Sequence, residues 1–259
     1  MNHAIALQKV SQSYARGDGS VVQALQNIDL QIDGSEFVSF LGPSGCGKST
    51  LLRLIAGLES ADSGSLFLGD DVIVGPDQRR GLVFQDPNLF PWLTVWDNIG
   101  FGPRLKTHRP DRSRVAALIR LVGLEGFEKS YPHQLSGGMA QRAAVARTLI
   151  NDPEVLLLDE PLGALDSFTR MSMQEELLRV WESAGTTMIM VTHDIDEAIF
   201  LSDRIAVFSS RPGRIQTVIP VPLSRPRLRN SPEFVQLRSQ ILELFHFAHS
   251  LGDPEEPFL

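Results

Sequence analysis

The residues 42–50, Gly-Pro-Ser-Gly-Cys-Gly-Lys-Ser-Thr, carry the densest chemical signal in the chain. Gly42, Gly47, Lys48 and Ser49 fit the spacing G-x-x-x-x-G-K-[ST], a loop that wraps the phosphates of a nucleotide. Its glycines let the backbone turn tightly and aim several N–H groups at one anion. The Lys48 ammonium is expected to reach the β- and γ-phosphates, and the Ser49 hydroxyl to sit on Mg²⁺. Pro43, Ser44, Gly45, Cys46 and Thr50 complete the cradle.

Two carboxylates extend this chemistry. Asp159 ends the aliphatic run 155–158, and the carboxyl end of a parallel strand opens onto a ligand crevice. A carboxylate there, close to Ser49, supplies a second Mg²⁺ contact. Glu160 would then polarise an attacking water as general base. His193 ends another apolar run, TTMIMVTH (186–193), and a strand beside that of Asp159 would bring its imidazole to the γ-phosphate. Gln85 ends RRGLVFQ (79–85); its amide oxygen can ligate Mg²⁺ or water and can relay the loop that follows. Tyr14, one of two tyrosines, is either a partly buried loop aromatic or a face on which a flat base could stack. Taken alone, an Asp-Glu pair can be a solvated turn, and a lone His is usually a structural residue. The phosphate loop joins them into one site.

The elements that must position these groups are legible as a mixture of strands and helices. EFVSFL (36–41) reads as a buried strand and LLRLIAGL (51–58) as a helix, so the phosphates would face a helix N-terminus. Upstream, AIALQKV (4–10) reads as an edge strand and SQSYARGDGS (11–20) as a turn-rich connection. VVQALQNIDLQI (21–32) reads as two short strands forming a hairpin. SGSLFLGDDVI (63–73) and RRGLVFQ (79–85) are further strands. The stretch 86–105 carries three prolines, both Trp92 and Trp96 and no clean period, which marks the start of an inserted subdomain. RSRVAALIRLVGL (112–124) is an amphipathic helix closed by Gly123, and Ser136-Gly137-Gly138 precedes the strong helix former AQRAAVARTLI (140–150). A helix (168–185), a strand (186–193) and a helix capped by Asp194 follow. RIAVFSS (204–210) and RIQTVIPV (214–221) form a strand pair joined by Arg-Pro-Gly. A last helix near 232–248 opens on Ser231 and Pro232, with apolar positions at Phe234, Leu237, Ile241, Leu244 and Ala248.

Composition narrows the classes. A chain of 259 residues with 42% hydrophobic content and mean hydropathy near zero has ample core for an α/β body. A net charge of −7 argues against a general affinity for nucleic acid, which is driven by Lys and Arg. The single cysteine lies inside the phosphate loop, which fits a reducing compartment. No signal peptide is visible at the N-terminus. No run approaches the roughly 18–20 apolar residues of a membrane helix. The expectation is a protein that does not itself cross a bilayer.

The phosphate loop, Gln85, LSGGMAQR (135–142), VLLLDE (155–160), GALD (163–166) and His193 together resemble the ATP-binding cassette (ABC) transporter ATPases, over nearly the whole chain. The resemblance implies an α/β P-loop NTPase of ABC-ATPase type, with an N-terminal antiparallel β portion, a mixed core sheet and a helical insertion. Residues 1–85 and 151–230 would form the ATP-binding core, 86–150 the helical subdomain with the signature motif, and 231–259 a C-terminal helix and tail. ATP and Mg²⁺ are the implied ligands. Tyr14 would stack on adenine and Gln85 would open the Q-loop. Ser136, Gly137 and Gly138 would form a signature loop meeting the γ-phosphate held by a second copy in a head-to-tail dimer. Asp166 would lie in the loop joining the two sites.

Three stretches, NLFPWLTVWDNIGFG, DIDEA and SSRPGRI, look like the nitrate/sulfonate/taurine-type importer ATPases. That likeness implies an energy-coupling subunit, peripheral on the cytoplasmic face of the membrane. Its partners would be a membrane permease and, indirectly, a solute-binding protein, with no nucleic acid. Leu89, Phe90, Trp92, Leu93 and Trp96 are either a local core or a groove for a short permease helix. The alternative is a soluble mechanical or nucleic-acid-associated ABC ATPase. Such a protein would normally insert long heptad segments or a second cassette, and the sequence has neither. A non-hydrolysing switch would be expected to lack Glu160 or His193.

Overall fold

The computed structural model describes residues 3–17, 19–107, 111–163 and 165–251, and two sheets organise them. Strands β3 (Phe37–Leu41), β7 (Val155–Asp159) and β8 (Thr187–Thr192) are buried at every position. Such continuously buried, largely apolar runs suit a parallel sheet covered on both faces. With β6 (Arg80–Val83), β9 (Arg204–Phe208) and β10 (Ile215–Pro220) they form a sheet in the order β10-β9-β3-β8-β7-β6. All neighbours are parallel except β9 and β10. The register is what matters for chemistry. Leu41 pairs with Thr192, and Asp159 with Val191, so three strand ends open side by side at one edge.

The smaller sheet corrects the reading of the N-terminal segment. β1 (Ile5–Ala15) pairs with β2 (Val21–Ile32) on one side and β4 (Ser63–Leu68) on the other, with β5 (Asp71–Val72) beyond. All contacts are antiparallel. Residues 4–10 are therefore a central strand rather than an edge, and residues 11–15 continue it rather than forming a connection. Residues 21–32 are one strand, and the hairpin is the β1–β2 pair. The physical cause is bulging: Lys9 and Asn27 have left-handed φ of 51° and 47°, and the register shifts between Leu7 and Val10 and twice more before Ser13. Each bulge breaks the two-residue alternation, so a long strand reads as short pieces. Polar Ser13 and Gln12 fit because Ser13 donates its N–H to Asp62, and Gln12 accepts the N–H of Asp62.

Helix α1 (Lys48–Ala56) lies between the sheets. Leu51, Leu52, Leu54 and Ile55 join Ile5, Leu7 and Ile28 of the small sheet to Val38, Phe40, Leu157, Ile189 and Val191 of the large one. The alternate residues Leu156, Leu158, Met188 and Met190 face the other way, onto α2 (Val95–Ile99), α4 (Arg112–Leu121), α5 (Gly137–Leu149) and α6 (Ser167–Ala184). Helix α3 (Phe101–Thr107) follows α2. Within the 86–105 stretch the buried Asn98 replaces missing backbone pairing. It accepts from Phe90 N and donates to the carbonyls of Phe90, Leu93 and Thr94.

Helices α7 (Ile195–Leu201) and α8 (Pro232–Leu251) cover the β3–β9 side through Ala198, Ile199, Phe234, Leu237 and Ile241. Leu244, expected in that stripe, is exposed, and Phe245 packs in its place. After Ile241 the buried stripe advances four residues rather than three, following the 3.6-residue turn. The side chain of Ala248, Ala164 of the GALD segment, and residues 252–259 lie outside the described residues. Among the described residues no helix is long and apolar enough to cross a membrane.

Candidate nucleotide site

The loop between β3 and α1 turns through Gly45 and Gly47, whose φ values of +75° and +102° exclude most side chains. A Cβ on Gly47 would also lie 2.8 Å from Ala24 O. Helix α1 starts at Lys48 with no side-chain cap at Gly47, so its first N–H groups are left for a ligand. Lys48 is 4% exposed, and its Nζ donates to the carbonyls of Gly42 and Pro43 at 2.8 Å each, 3.6 Å from Cys46 Sγ. The ammonium is thus fixed by its own loop. Cys46 is buried behind it.

Ser49 Oγ donates to Asp159 Oδ1 at 2.8 Å. Burial pushes the Asp159 carboxyl above the usual carboxylate range; the Ser49 hydrogen bond opposes that rise and the neighbouring Glu160 charge adds to it. Among the described residues no group of three or more His, Cys, Asp or Glu could hold a metal alone. Magnesium normally takes one or two protein carboxylates and completes its shell with water and substrate phosphates. A hydroxyl and a buried carboxylate in contact beside a phosphate loop fit that ion. Because its pKa is raised on folding, Asp159 weakens the nucleotide-free fold as pH rises through that pKa, and the effect disappears below the carboxylate range. Asp159→Asn keeps an oxygen for Ser49 and loses the charge. At neutral pH without nucleotide it should therefore melt higher than the parent, with the gap closing in acid. Melting curves across pH check this; a variant that melts lower at every pH would contradict it.

Glu160 has a left-handed φ of 44°, uncommon for a non-glycine residue and typical of strain held at functional sites. Its N–H donates to Val191 O at 3.1 Å, which ties it to β8. Its Oε2 lies 3.4 Å from His193 Nδ1. His193, one residue past β8, is largely exposed, while Glu160 is mostly covered.

A cavity of ≈ 540 Å³ is lined by Tyr14, Arg16, Val22, Ala24, Ser44, Gly45, Gly47, Lys48, Ser49, Thr50, Gln85, Glu160 and Arg211. Asp159 and His193 do not line it; Asp159 meets it through Ser49 and His193 through Glu160. Tyr14 stands on β1 and is 38% exposed; its hydroxyl donates to Glu59. Burial raises the phenol pKa, and the Glu59 carboxylate adds to the rise. Gln85 lies two residues beyond β6, not at its end. The segment around it is held from α5: Gln141 donates to Phe84 O at 3.2 Å, and Arg147 to Asn88 O and Pro87 O at 2.7 and 2.9 Å.

Ser136, Gly137, Gly138 and Asp166 do not line this cavity. Ser136 caps α5, accepting from Met139 N, and Ser136 and Gly137 are exposed. Gly138 is buried, with a Cβ there 2.7 Å from Thr169. Asp166 caps α6, and bonds from Thr169 and Phe168 hold its carboxyl below the usual range. One chain therefore assembles the phosphate loop, Asp159, Glu160, His193, Gln85 and Tyr14, and leaves Ser136, Gly137 and Asp166 facing solvent. Sequence reasoning missed Arg16, Glu59, Arg147 and Arg211. Gln141 was visible within LSGGMAQR but only as a motif letter.

Comparison with known proteins identifies the family. Residues 25–163 match the family model described as ABC transporter. The aliphatic sulfonates import ATP-binding protein SsuB of Bacillus anthracis is 49% identical over 241 residues, covering 93% of this chain and 95% of that protein. SsuB 1 of Pseudomonas savastanoi pv. phaseolicola is 52% identical over 225 residues, covering 87% and 91%. Among solved structures, a dimeric post-hydrolysis state of the ATP-binding cassette MJ0796 with ADP and Pi superposes with a TM-score of 0.75. It is 33% identical and covers 85% of this chain and all of that one. The chain belongs to the ABC transporter family, among its ATP-binding subunits.

Proposed function

We propose that this ATPase subunit powers the import of an aliphatic sulfonate. The observation that carries the reading is the near full-length similarity, at about half identity, to proteins named as aliphatic sulfonate import subunits. In this reading the protein is peripheral, on the cytoplasmic side of the membrane, and works as a homodimer. The dimeric cassette of similar fold supports the second point.

The residues divide the work by chemistry. Lys48 and the N–H groups of the phosphate loop hold the β- and γ-phosphates, and Tyr14 offers a ring face to the base. Ser49 and Asp159, with Gln85, hold Mg²⁺, which supplies charge neutralisation on the phosphate oxygens when bound. Glu160 accepts the proton of the attacking water, and His193, within reach of Glu160, donates to the γ-phosphate. Ser136, Gly137 and Gly138 close the site of a second copy, with Asp166 between the two sites.

The permease would dock in a groove of ≈ 420 Å³ beside the Gln85 segment, lined by Leu82, Phe84, Phe90, Phe101, Arg147 and Asn151. Phe90 lies between Phe101 and Trp92, with tilted rings and centroids 4.5 and 5.6 Å away, and Trp92 is 70% exposed. Leu89 and Trp96, by contrast, pack on the helical core. Trp92→Ala should therefore reduce co-purification with the permease and leave nucleotide binding and melting unchanged. Trp96→Ala should instead lower the melting temperature. Equal destabilisation by both would assign Trp92 to the core.

The substrate is tested by deleting the gene and growing cells with an alkanesulfonate as sole sulfur source. Growth should fail, and the intact gene should restore it where Lys48→Ala does not. Unimpaired growth of the deletion strain would rule out sulfonate import as its necessary role.

A further inference from the structure

The turn between β9 and β10 (209–214) reaches into the nucleotide cavity. Ser209 Oγ closes it, accepting from Arg214 N and donating to Pro212 O at 3.0 Å each. Gly213 N donates to Ala24 O at 2.9 Å, and Gly213 O accepts from Gln26 N at 3.0 Å, so the turn runs beside β2. Arg214 Nε adds a bond to the Gln26 side chain. A Cβ at Gly213 would lie 2.0 Å from Cys46 O. Only glycine lets this turn rest against the back of the phosphate loop.

Arg211 projects from the braced turn. Its Nε and Nη2 both donate to Gly45 O, at 3.2 and 2.9 Å, and its exposed side chain lines the same cavity as Lys48, Ser49 and Thr50. A guanidinium has five N–H donors, and among the described residues the Gly45 carbonyl takes the bonds from those two nitrogens. Among the described residues Nη1 has no hydrogen-bond partner. Lys48, by comparison, is buried and, without nucleotide, donates to acceptors of its own loop. On the outer side of the loop, Arg211 is therefore a fixed cation with donors to spare, next to a site built for an anion.

We propose that Arg211 is a further nucleotide-binding residue: braced on the Gly45 carbonyl, its remaining N–H groups grip the polyphosphate chain of ATP or ADP. Arginine suits this role because its planar fork bonds a fixed backbone oxygen on one edge and phosphate oxygens on another. It cannot act as an acid or base at working pH, so its effect falls mainly on KM and not on kcat. The turn also fixes where the charge sits, since Gly213 and Arg214 hold it to β2 independently of Arg211.

The test is equilibrium binding of fluorescent ADP and ATP to the purified subunit, which needs no permease and is independent of the transported solute. Arg211→Met should weaken both nucleotides by about tenfold, the scale of a lost charge-assisted hydrogen bond. It should also flatten the dependence of affinity on salt, because a screened charge pair has gone. Arg211→Lys should restore the salt dependence and part of the affinity. Melting of the nucleotide-free protein should not move. Unchanged affinity in Arg211→Met would overturn the proposal. So would weaker binding with the parent's salt dependence, which would make Arg211 only a brace for the loop.

Discussion

Glu160→Gln is expected to bind ATP as the parent does and to hydrolyse it about two to four orders of magnitude more slowly, the usual contribution of a positioned general base. The substitution is nearly isosteric. The Glu160 N–H stays bonded to Val191 O, so the left-handed backbone at φ 44° and the direction of the side chain are kept. What disappears is the proton acceptor. The Ser49–Asp159 pair and the Lys48 anchors do not involve Glu160, so the binding shell remains. With binding intact and turnover blocked, ATP should hold two copies together. Phosphate release, nucleotide binding and gel filtration with ATP measure the three consequences. A variant that turns over normally and stays monomeric would remove Glu160 from the role of base.

How the site was legible depends on what fixes each part. The phosphate loop is local: its glycines are demanded by φ and by a 2.8 Å approach to Ala24, and its lysine is held by carbonyls five and six residues away. Sequence spacing encodes all of that. Asp159, Glu160 and His193 could be joined because fully buried parallel strands read as apolar runs, and neighbouring strands end together. Ser49 and Asp159, 110 residues apart, then meet as expected.

The N-terminal sheet was less legible because bulges at Lys9 and Asn27 erase the alternation by which strands are recognised. Tyr14 moved with it, from a connection to a strand facing the cavity. The aromatic group after Gln85 split for a different reason. Burial there is decided by Asn98, one amide tying four backbone groups, and not by any period. Arg211 was invisible because its meaning lies in contacts across 166 residues of sequence.

Two inactive variants should recover activity when combined, because each site would be built from two chains. The phosphate loop covers its nucleotide from one side, and the exposed Ser136 and Gly137 at the start of α5 do not line the nucleotide cavity of their own chain. They present a hydroxyl, backbone N–H groups and the positive end of a 13-residue helix, all suited to a phosphate. Lys48→Ala removes the cation of the loop and leaves the α5 motif intact. Ser136→Arg leaves the loop intact and blocks the motif, at the cost of a helix cap of about 1 kcal/mol. Gly137→Arg is a second blocking variant, since a Cβ there meets nothing within 4 Å and the fold should be undisturbed. Each homodimer has two defective sites and should be inactive. In a heterodimer of one loop variant and one motif variant, one site inherits both defects and the other inherits neither. A purified heterodimer carrying two different tags should therefore show up to about half the parental rate, provided one intact site turns over alone. The same result with Gly137→Arg in place of Ser136→Arg would separate blockage from loss of the cap. Absence of recovery in a confirmed heterodimer that binds ATP at its intact loop would mean that the motif serves its own chain or that both sites must act together.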